Sequence, residues 1–265
     1  MRYHIITIFP NVFDSYLSES IIGNAIADGI IEVTAYDLRS YSEDKHRRVD
    51  GRVYGGGPGM VMWVDPIMKC HADVIKRIMK RSSKEVKAPL GELPKAEGVR
   101  ILNVIFTPEK VEFNNQIAES VSKEYTDIIF ICGRYEGIDA RVKLILEDMS
   151  KNIEIFSFKN KNGEIVDVRI ESEVVEWSVG PYVLTGGELP AMVCIDAISR
   201  RLPGVLHNED SIEENRVSSH EIYGRPEVYL TPPLSQGEGA AQEYKVPEVL
   251  LSGHHANIEK WKEGR

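Results

Sequence analysis

The sequence predicts an α/β protein built on a mostly parallel β-sheet with helices on both faces. The main observation is that apolar, strand-like runs such as 101–106 and 127–132 alternate with segments of helical spacing such as 111–123, which is the pattern of βαβ units. A second observation is size. A chain of 265 residues that is 42% hydrophobic can bury a substantial core, as one large domain or a large domain plus a small one.

The elements follow in chain order from the spacing of apolar and turn residues. A buried strand begins the chain and ends at Pro10, and an apolar stripe of helical period follows it until Gly29. Apolar runs predict strands at 2–9, 30–38, 101–106 and 127–132. Helical spacing predicts helices at 11–28, 66–80, 111–123, 139–147, 188–202 and 256–262.

Three segments depart from this alternation. Residues 39–60 are polar and glycine-rich and predict a loop, while the charged residues 81–98, with two prolines, predict a mobile connection. Residues 153–158 and 164–170 each alternate apolar and polar side chains around the turn-forming residues 160–163. Two such runs joined by a short turn predict a β-hairpin.

Two glycine-dense segments, 133–137 and 180–190, carry the strongest functional signal. The first follows an apolar strand, and the second ends at a helix start, with Pro190 where a missing N–H costs nothing. Glycine is costly to order, so it tends to occur where the backbone needs a positive φ or a close approach. Two such bends predict a ligand that is held largely by main chain.

The sequence gives little support for several other kinds of site and location. The glycines form neither the dinucleotide fingerprint nor a P-loop. The three cysteines, Cys70, Cys132 and Cys194, are widely spaced in apolar surroundings, which indicates buried thiols in a reducing cytosol. No apolar stretch approaches the roughly 20 residues that span a bilayer, and the start lacks a signal-peptide layout. We therefore expect a cytoplasmic protein without a metal cluster.

The net charge of −9 argues against indiscriminate binding to nucleic acid, because phosphates require local cations. It leaves room for a specific RNA contact through two basic clusters, 45–48 and 200–201. A third run of basic residues, over 76–87, is interpreted as the solvated face of a helix.

Nine short segments together resemble one known family. They are 8–10, 20–23, 44–50, 54–60, 132–139, 182–191, 195–200, 203–206 and 250–255. In this order, and almost from end to end of the chain, they resemble the bacterial tRNA (guanine-N1)-methyltransferases of the SPOUT class, which modify guanosine 37 beside the anticodon.

The resemblance implies a trefoil-knotted α/β fold, a homodimer with a shared active site, S-adenosylmethionine as methyl donor, a dependence on Mg²⁺, and tRNA with guanosine at position 37 as substrate. It implies a knotted donor-binding domain over 1–180, with the hairpin of about 153–177 inserted and the knot completed by 181–204. A flexible catalytic linker over 205–224 and a short, mainly helical tRNA-binding domain over 225–265 follow. The inserted segment is longer, and the last domain shorter, than is usual in the family.

In the family the donor lies bent between three loops, whose main-chain groups read its adenine and ribose. By resemblance, fifteen residues here have this role. They are Thr107, Pro108, Gly133, Tyr135, Glu136, Gly137, Val179, Gly180, Pro181, Tyr182, Val183, Leu184, Gly186, Gly187 and Pro190.

The acceptor chemistry sets further requirements. Guanine N1 carries a proton at neutral pH, so a base must lie within about 3 Å of it, and charge that develops on O6 needs a cation or strong donor. Arg200 matches the family's catalytic arginine. The family's base is an aspartate in the loop that follows this arginine. If this loop is aligned without a gap, Asn215 takes the position of that aspartate and Glu214 precedes it. If the loop is five residues shorter than in the family, Asp210 takes that position. Asp210 and Glu214 are both candidate bases.

Four further residues, His46, Arg48, Asp50 and Gly59, are expected by resemblance to seat the guanine and the anticodon stem. The altered base loop leaves two alternatives to this function open. One is another SPOUT RNA methyltransferase with a different target, and the other is a non-catalytic tRNA-binding protein that retains the donor pocket.

Overall fold

The computed structural model describes residues 1–56, 58–85, 98–159, 165–206, 221–230 and 242–263. Contacts between Cα atoms divide the chain into two compact units, Met1–His207 and Asn208–Arg265. The first unit holds the large sheet, and the second holds a two-stranded ribbon and two short helices.

The first unit is built on a six-stranded sheet in the order β2-β1-β6-β5-β8-β7. Its strands are β1 (Arg2–Thr7), β2 (Glu32–Asp37), β5 (Val99–Glu112), β6 (Asp127–Ile131), β7 (Glu154–Lys159) and β8 (Ile165–Ser178). All neighbours pair in parallel except β7 and β8, which are antiparallel. A separate antiparallel pair consists of β3 (Asp50–Arg52) and β4 (Met60–Met62). The mostly parallel sheet predicted from sequence is confirmed.

Helices cover both faces of this sheet, as predicted. They are α1 (Asp14–Leu17), α2 (Ser20–Ala27), α3 (Val64–Glu85), α4 (Asn115–Glu124), α5 (Arg141–Ser150) and α6 (Glu188–Ser199). Apolar residues of α2, α4 and α6 share one buried cluster with Phe130 of β6. Those of α3 and α5 share another with Ile129 and Ile131. Because neighbouring side chains of a strand point to opposite faces, β6 is buried in both clusters.

The segment predicted as one helix over 11–28 is divided into three pieces: a 3₁₀ turn at Pro10–Phe13, α1 and α2. Gly23 of α2 lies against the chain that precedes it, where an added Cβ would meet the carbonyl oxygen of Ser18 at 2.6 Å. The apolar stripe is therefore maintained across a break that the period alone does not show.

The hairpin predicted over 153–177 forms, but both of its strands belong to the main sheet. β8 runs well past 170, the predicted end of its strand, and pairs in parallel with β5 from Val99↔Ile170 to Glu112↔Ser178. The register shifts between Phe106 and Val111, so the intervening residues leave the ladder. The sequence alternation predicted the antiparallel pairing of the two strands correctly but not the position of β8 inside the sheet. The predicted turn residues 160–163 lie outside the described residues.

The boundary between β5 and α4 differs from the prediction of a helix over 111–123. Val111 and Glu112 belong to β5, and α4 begins after Asn114. The side-chain oxygen of Asn114 accepts a hydrogen bond from the backbone N–H of Ile117 at 3.0 Å, which is the geometry of a helix N-cap. The segment 39–60, predicted as a loop, also differs from the prediction, because it contains β3 and the first residue of β4.

A buried ionic cluster lies at the amino ends of β1 and β6, the edge opposite to the carboxyl ends. The fully buried Asp127 accepts hydrogen bonds from Arg2 at 3.3 Å, from His4 at 3.1 Å and from Arg81 of α3 at 2.7 Å. Burial alone would raise the pKa of Asp127, but the bond from His4 and the charges of Arg2 and Arg81 outweigh it and lower the pKa well below its usual range. The cluster therefore ties α3 to the sheet through one carboxylate.

The second unit contains the antiparallel strands β9 (Val228–Leu230) and β10 (Glu243–Lys245), and the helices α7 (Glu248–Leu251) and α8 (His255–Glu263). The rings of Tyr223 and Trp261 lie 6.2 Å apart. The helix predicted at 256–262 is confirmed as α8, and the ribbon is an addition that the sequence did not indicate.

Most of the predicted linker, over 207–220, and most of the connection, over 86–97, lie outside the described residues. The trefoil knot stays a prediction. In the parts of the chain that the structure describes, no helix is both long enough and apolar enough to cross a membrane.

Candidate functional site

A cleft of about 510 Å³ opens at the carboxyl ends of the parallel strands, the edge at which open α/β sheets bind ligands. Its walls are the stretch 105–108 of β5, the loop after β6, the end of β8 and the segment that leads into α6. The register shift between Phe106 and Val111 frees Thr107 and Pro108, and both line the cleft. The hydroxyl oxygen of Ser178 lies 3.3 Å from the carbonyl oxygen of Pro108, so two of these walls are in contact.

The two glycine-dense segments meet in this cleft. Arg134 forms an isolated antiparallel bridge with Gly186, and the N–H of Gly187 donates to the carbonyl of Gly133 at 3.0 Å. Positive φ angles occur at Tyr135 (60°) and Gly137 (115°), a conformation that favours glycine and that Tyr135 holds at some cost. The backbone of the first segment is therefore bent back toward the second.

Gly187 is the point of closest approach. A Cβ at this position would lie 2.7 Å from the Cα of Cys132 and 3.2 Å from the N of Gly133, and both of these are backbone atoms that cannot move aside independently. The backbone of Gly187 is ordinary, with φ −82°, so contact rather than strain requires glycine here.

The predicted donor is S-adenosylmethionine, and S-adenosylhomocysteine is the same molecule without the transferred methyl group. We expect Gly187→Ala to weaken binding of S-adenosylhomocysteine about 5- to 100-fold, because overpacking costs about 1–3 kcal/mol and displaces one wall of the cleft. Isothermal titration calorimetry would measure this. Gly98→Ala is the matched control, since its Cβ would make an ordinary contact of 3.4 Å with a carbonyl oxygen. Equal affinities for the two variants would contradict the expectation.

Thirteen of the fifteen residues predicted to bind the donor line the cleft. They are Thr107, Pro108, Gly133, Tyr135, Glu136, Gly137, Val179, Tyr182, Val183, Leu184, Gly186, Gly187 and Pro190. The other two, Gly180 and Pro181, are not among the lining residues. Gly180 instead shapes the turn behind the cleft: its carbonyl accepts from the hydroxyl of Ser178 at 2.9 Å, and a Cβ on it would meet the ring of Tyr182.

Several lining residues were not predicted, among them Arg134, Asp139, Lys143, Glu176 and Trp177. Arg134 and Asp139 lie within or beside a quoted motif, so the motif itself was an available signal. Lys143 and Glu176 had none, because α5 and β8 come together only in the folded sheet.

Arg134 is fixed by two contacts. Its Nε lies 3.2 Å from the buried carboxylate of Glu188, and its guanidinium lies over the ring of Phe9, 4.5 Å from the ring centre. The contact with Glu188 has the geometry of an ion pair rather than an aligned hydrogen bond. The other oxygen of Glu188 accepts from the hydroxyl of Thr7 at 2.8 Å. This cluster joins β1, the loop after β6 and the start of α6.

The residues predicted to seat the guanine are divided between two environments. Gly59 lies in the turn between β3 and β4, where a Cβ would meet the side chain of Glu136 at 2.4 Å, and β4 hydrogen-bonds to the loop after β6. Asp50 is the first residue of β3. The β3–β4 turn is thus placed beside the cleft.

His46 and Arg48 belong to a loop that Asp44 organises. Its carboxylate accepts from the N–H of His46 at 2.8 Å and from the guanidinium of Arg48 at 3.1 and 2.8 Å. The hydrogen bond from Arg48 lowers the pKa of Asp44 below its usual range. The side chain of Arg48 stays largely exposed, so it remains accessible to a polyanion.

Arg200 is the C-cap of α6, at the opposite end of that helix from the cleft. Twelve helical residues separate the two ends, or about 18 Å at 1.5 Å per residue. Asp196, one turn before Arg200 on α6, accepts a hydrogen bond from the hydroxyl of Tyr16. Among the described residues, the side chain of Arg200 forms no ion pair. The candidate bases Asp210 and Glu214, with Asn215, lie outside the described residues.

The described chain contains no group of three or more His, Cys, Asp or Glu side chains arranged to hold a metal ion. Of the three carboxylates that line the cleft, Asp139 pairs with Arg141 at 2.6 Å and Glu176 pairs with Lys143 at 2.6 Å. These residues do not fit a dedicated Mg²⁺ cage.

The geometry defines a class. A cleft at the carboxyl edge of a parallel sheet, closed by glycine-rich main chain and containing a few fixed charges, is that of an α/β protein that binds a small nucleotide-like ligand. The family model described as tRNA (Guanine-1)-methyltransferase TrmD matches residues 1–265. The chain belongs to this family, and it is an enzyme of the methyltransferase class. The family's chemistry implies S-adenosylmethionine as the methyl donor.

Known relatives agree with this assignment. The tRNA (guanine-N(1)-)-methyltransferase of Lachnoclostridium phytofermentans is 39% identical over 274 residues, which cover 99% of this chain and 85% of the relative. That of Lachnospira eligens is 40% identical over 267 residues, covering 99% and 88%. The crystal structure of tRNA (m1G37) methyltransferase from Aquifex aeolicus matches with a TM-score of 0.64 and 31% identity, covering 99% of this chain and 87% of that chain.

Proposed function

We propose that this protein transfers a methyl group from S-adenosylmethionine to N1 of guanosine 37 in tRNA. The observation that carries the proposal is the main-chain-walled cleft formed by Thr107–Pro108, the loop after β6 and the segment before α6, in a chain that belongs to the tRNA (guanine-1)-methyltransferase family. Because tRNA is the substrate, the proposed reaction takes place in the cytoplasm.

The cleft fits the donor by size and by chemistry. Its 510 Å³ is within the range of about 300–1,000 Å³ found for small-ligand sites. Main-chain groups around Gly133 and Gly187 supply hydrogen bonds to adenine and ribose, and Gly187 keeps the walls close. The bound donor supplies an electrophilic methyl group, and the protein's task is to align it with guanine N1.

Arg200 is the proposed cation that meets the charge developing on guanine O6. A base in the loop that holds Asp210 and Glu214 takes the N1 proton, and His46, Arg48, Asp50 and Gly59 position the guanine and the anticodon stem. In this proposal the donor-binding domain extends over 1–180, and its knot is completed by 181–204. The linker 205–224 carries the base, and 225–265 contacts tRNA.

The distance between the cleft and Arg200 supports a homodimer with a shared active site. One chain places Arg200 about 18 Å from its own cleft along α6, too far for one guanine to contact both. Exposed apolar side chains on and beside this helix offer a surface for a second copy. Leu189 and Val193 are exposed one turn apart on α6, and the exposed Tyr16 bonds to Asp196 of the same helix. In a two-fold dimer each protomer supplies Arg200 to the cleft of its partner.

Mixed dimers test this arrangement. Arg200→Ala and Gly187→Val chains, carrying different affinity tags, would be co-expressed and purified as the mixed dimer. We expect about half of the wild-type activity per dimer, since one of the two shared sites contains neither lesion, while each homodimeric variant is inactive. A mixed dimer as inactive as both parents would contradict the shared site.

The activity itself is tested with purified protein, labelled S-adenosylmethionine, Mg²⁺ and tRNA that carries guanosine at positions 36 and 37, followed by mapping of the product. We expect methyl label at N1 of guanosine 37 and none in a transcript with adenosine there. Donor binding without any methylated product would overturn the proposal and favour a non-catalytic tRNA-binding protein. Label on another base or on ribose would favour a different RNA target.

A further inference from the structure

Two charged residues of the cleft have no role in the account above. Lys143 lies in the first turn of α5, and Glu176 lies near the end of β8. Both line the cleft. The Nζ of Lys143 is 2.6 Å from the carboxylate of Glu176, and both side chains are partly exposed there, at 38% and 21%.

Two of the other charged side chains that line the cleft, Arg134 and Asp139, already have partners. The guanidinium of Arg134 is held by Glu188 and Phe9. The carboxylate of Asp139 receives two bonds from the guanidinium of Arg141, at 2.9 and 2.6 Å, and this side-chain hydrogen bonding lowers the pKa of Asp139. Lys143 is the one lysine among the described residues that line the cleft.

Lys143 and Glu176 also retain bonding capacity. The ammonium group has three donors, of which Glu176 takes one and Glu147, at 3.5 Å, attracts a second. A carboxylate offers about four acceptor positions, so Glu176 can keep its bond to Lys143 and accept another. The hydrogen bond to Glu176 raises the pKa of Lys143 above its usual range, so the amine stays charged at neutral pH.

We propose that Lys143 and Glu176 form the subsite for the α-amino acid end of the methyl donor. The ammonium of Lys143 binds the donor's carboxylate, and the carboxylate of Glu176 binds the donor's ammonium. This inference rests on the proposed donor cleft. Main-chain groups suit adenine and ribose, but a zwitterion needs one cation and one anion side by side, and this pair supplies both within hydrogen-bond distance of each other.

Two ligands separate this subsite from the rest of the cleft. S-adenosylhomocysteine has the amino acid end, whereas 5′-methylthioadenosine keeps the adenosine and the thioether and lacks that end. We expect Lys143→Ala to weaken S-adenosylhomocysteine about 10- to 100-fold, as for hydrogen bonds to charged groups, and to leave 5′-methylthioadenosine within about 2-fold. Glu176→Gln should give the same selective loss. Titration calorimetry on the full chain measures the affinities for both ligands in the wild type and in each variant.

Two further variants complete the experiment. Lys151→Ala is the matched control, because Lys151 follows the same helix and pairs with Asp148 at 3.1 Å in an exposed position; it should change neither affinity. Lys143→Arg keeps the charge and should restore most of the affinity for S-adenosylhomocysteine. It also serves as the test if Lys143→Ala does not fold.

The outcomes are distinguishable from failure of the proposed function. If the wild-type chain binds neither ligand, the donor cleft is wrong and this subsite falls with it. If the wild type binds both ligands and Lys143→Ala weakens them equally, the pair only joins α5 to β8 and the subsite is overturned. Unchanged affinity for both ligands in Lys143→Ala and Glu176→Gln overturns it as well, while the cleft stands.

Discussion

Replacing Arg200 with alanine is expected to lower kcat for methyl transfer by about 100- to 1,000-fold, the effect of removing one donor that stabilises developing charge. Arg200 forms no ion pair with any described residue and caps the C-terminus of α6, so its guanidinium is available to an acceptor base. Affinity for S-adenosylhomocysteine should stay within about 2-fold, because Arg200 lies about 18 Å from its own cleft along the helix. Single-turnover methylation of tRNA and titration calorimetry measure the two quantities.

Two variants sharpen this prediction. Arg201→Ala removes the neighbouring arginine, whose backbone N–H bonds to Ile198, and should keep kcat within about 3-fold. Arg200→Lys keeps a charge but loses the forked donors of the guanidinium, so it should recover only part of the rate. If Arg200→Ala retains kcat within about 5-fold, Arg200 is not the O6 cation.

The second large effect concerns stability. We expect Asp127→Asn to lower the free energy of unfolding by about 3–5 kcal/mol, because removal of one member of a buried ionic cluster leaves the others unpaired. Asp127 is fully buried, and Arg2, His4 and Arg81 all bond to it. Urea denaturation followed by circular dichroism would report the change as a lower midpoint with an unchanged slope.

The control and the pH dependence follow from the same cluster. Asp148→Asn breaks an exposed pair with Lys151 and should change stability by less than about 1 kcal/mol. Because the pKa of Asp127 is lowered in the folded state, its contribution is present above the unfolded value of about 3.9 and is lost as the pH falls toward the folded value. The stability difference between wild type and Asp127→Asn should therefore shrink below about pH 4. A difference that is constant down to pH 2 would contradict this origin.

Local signals predicted much of the sheet and the walls of the cleft. The apolar runs around Ile5 and Phe130 are strands because each buries side chains on both faces, and a continuous apolar run expresses that directly. Gly133 and Gly187 were recognisable because a required close approach or bend excludes a side chain. Family resemblance extended this to most of the residues that line the cleft.

Signals that depend on distant partners were weaker. The alternating run 164–170 predicts a hairpin, but the parallel pairing of β8 with β5 depends on residues about seventy positions away. Strands β3 and β4 are three residues each, too short for alternation to be distinguished from a loop. The apolar period predicted one helix over 11–28, but it continues across a break at which Gly23 lies close to the carbonyl oxygen of Ser18.

What the sequence determined by itself is the fold class, the family and the main-chain character of the cleft, because strand periodicity and obligatory glycines depend on neighbouring residues. What only the tertiary structure decided is where side-chain charge lies relative to that cleft. It places Arg200 at the far end of α6, pairs Lys143 with Glu176 and gathers Arg2, His4 and Arg81 around Asp127. Such arrangements depend on which elements pack together, and no local pattern records the partner of a charge that is far away in the chain.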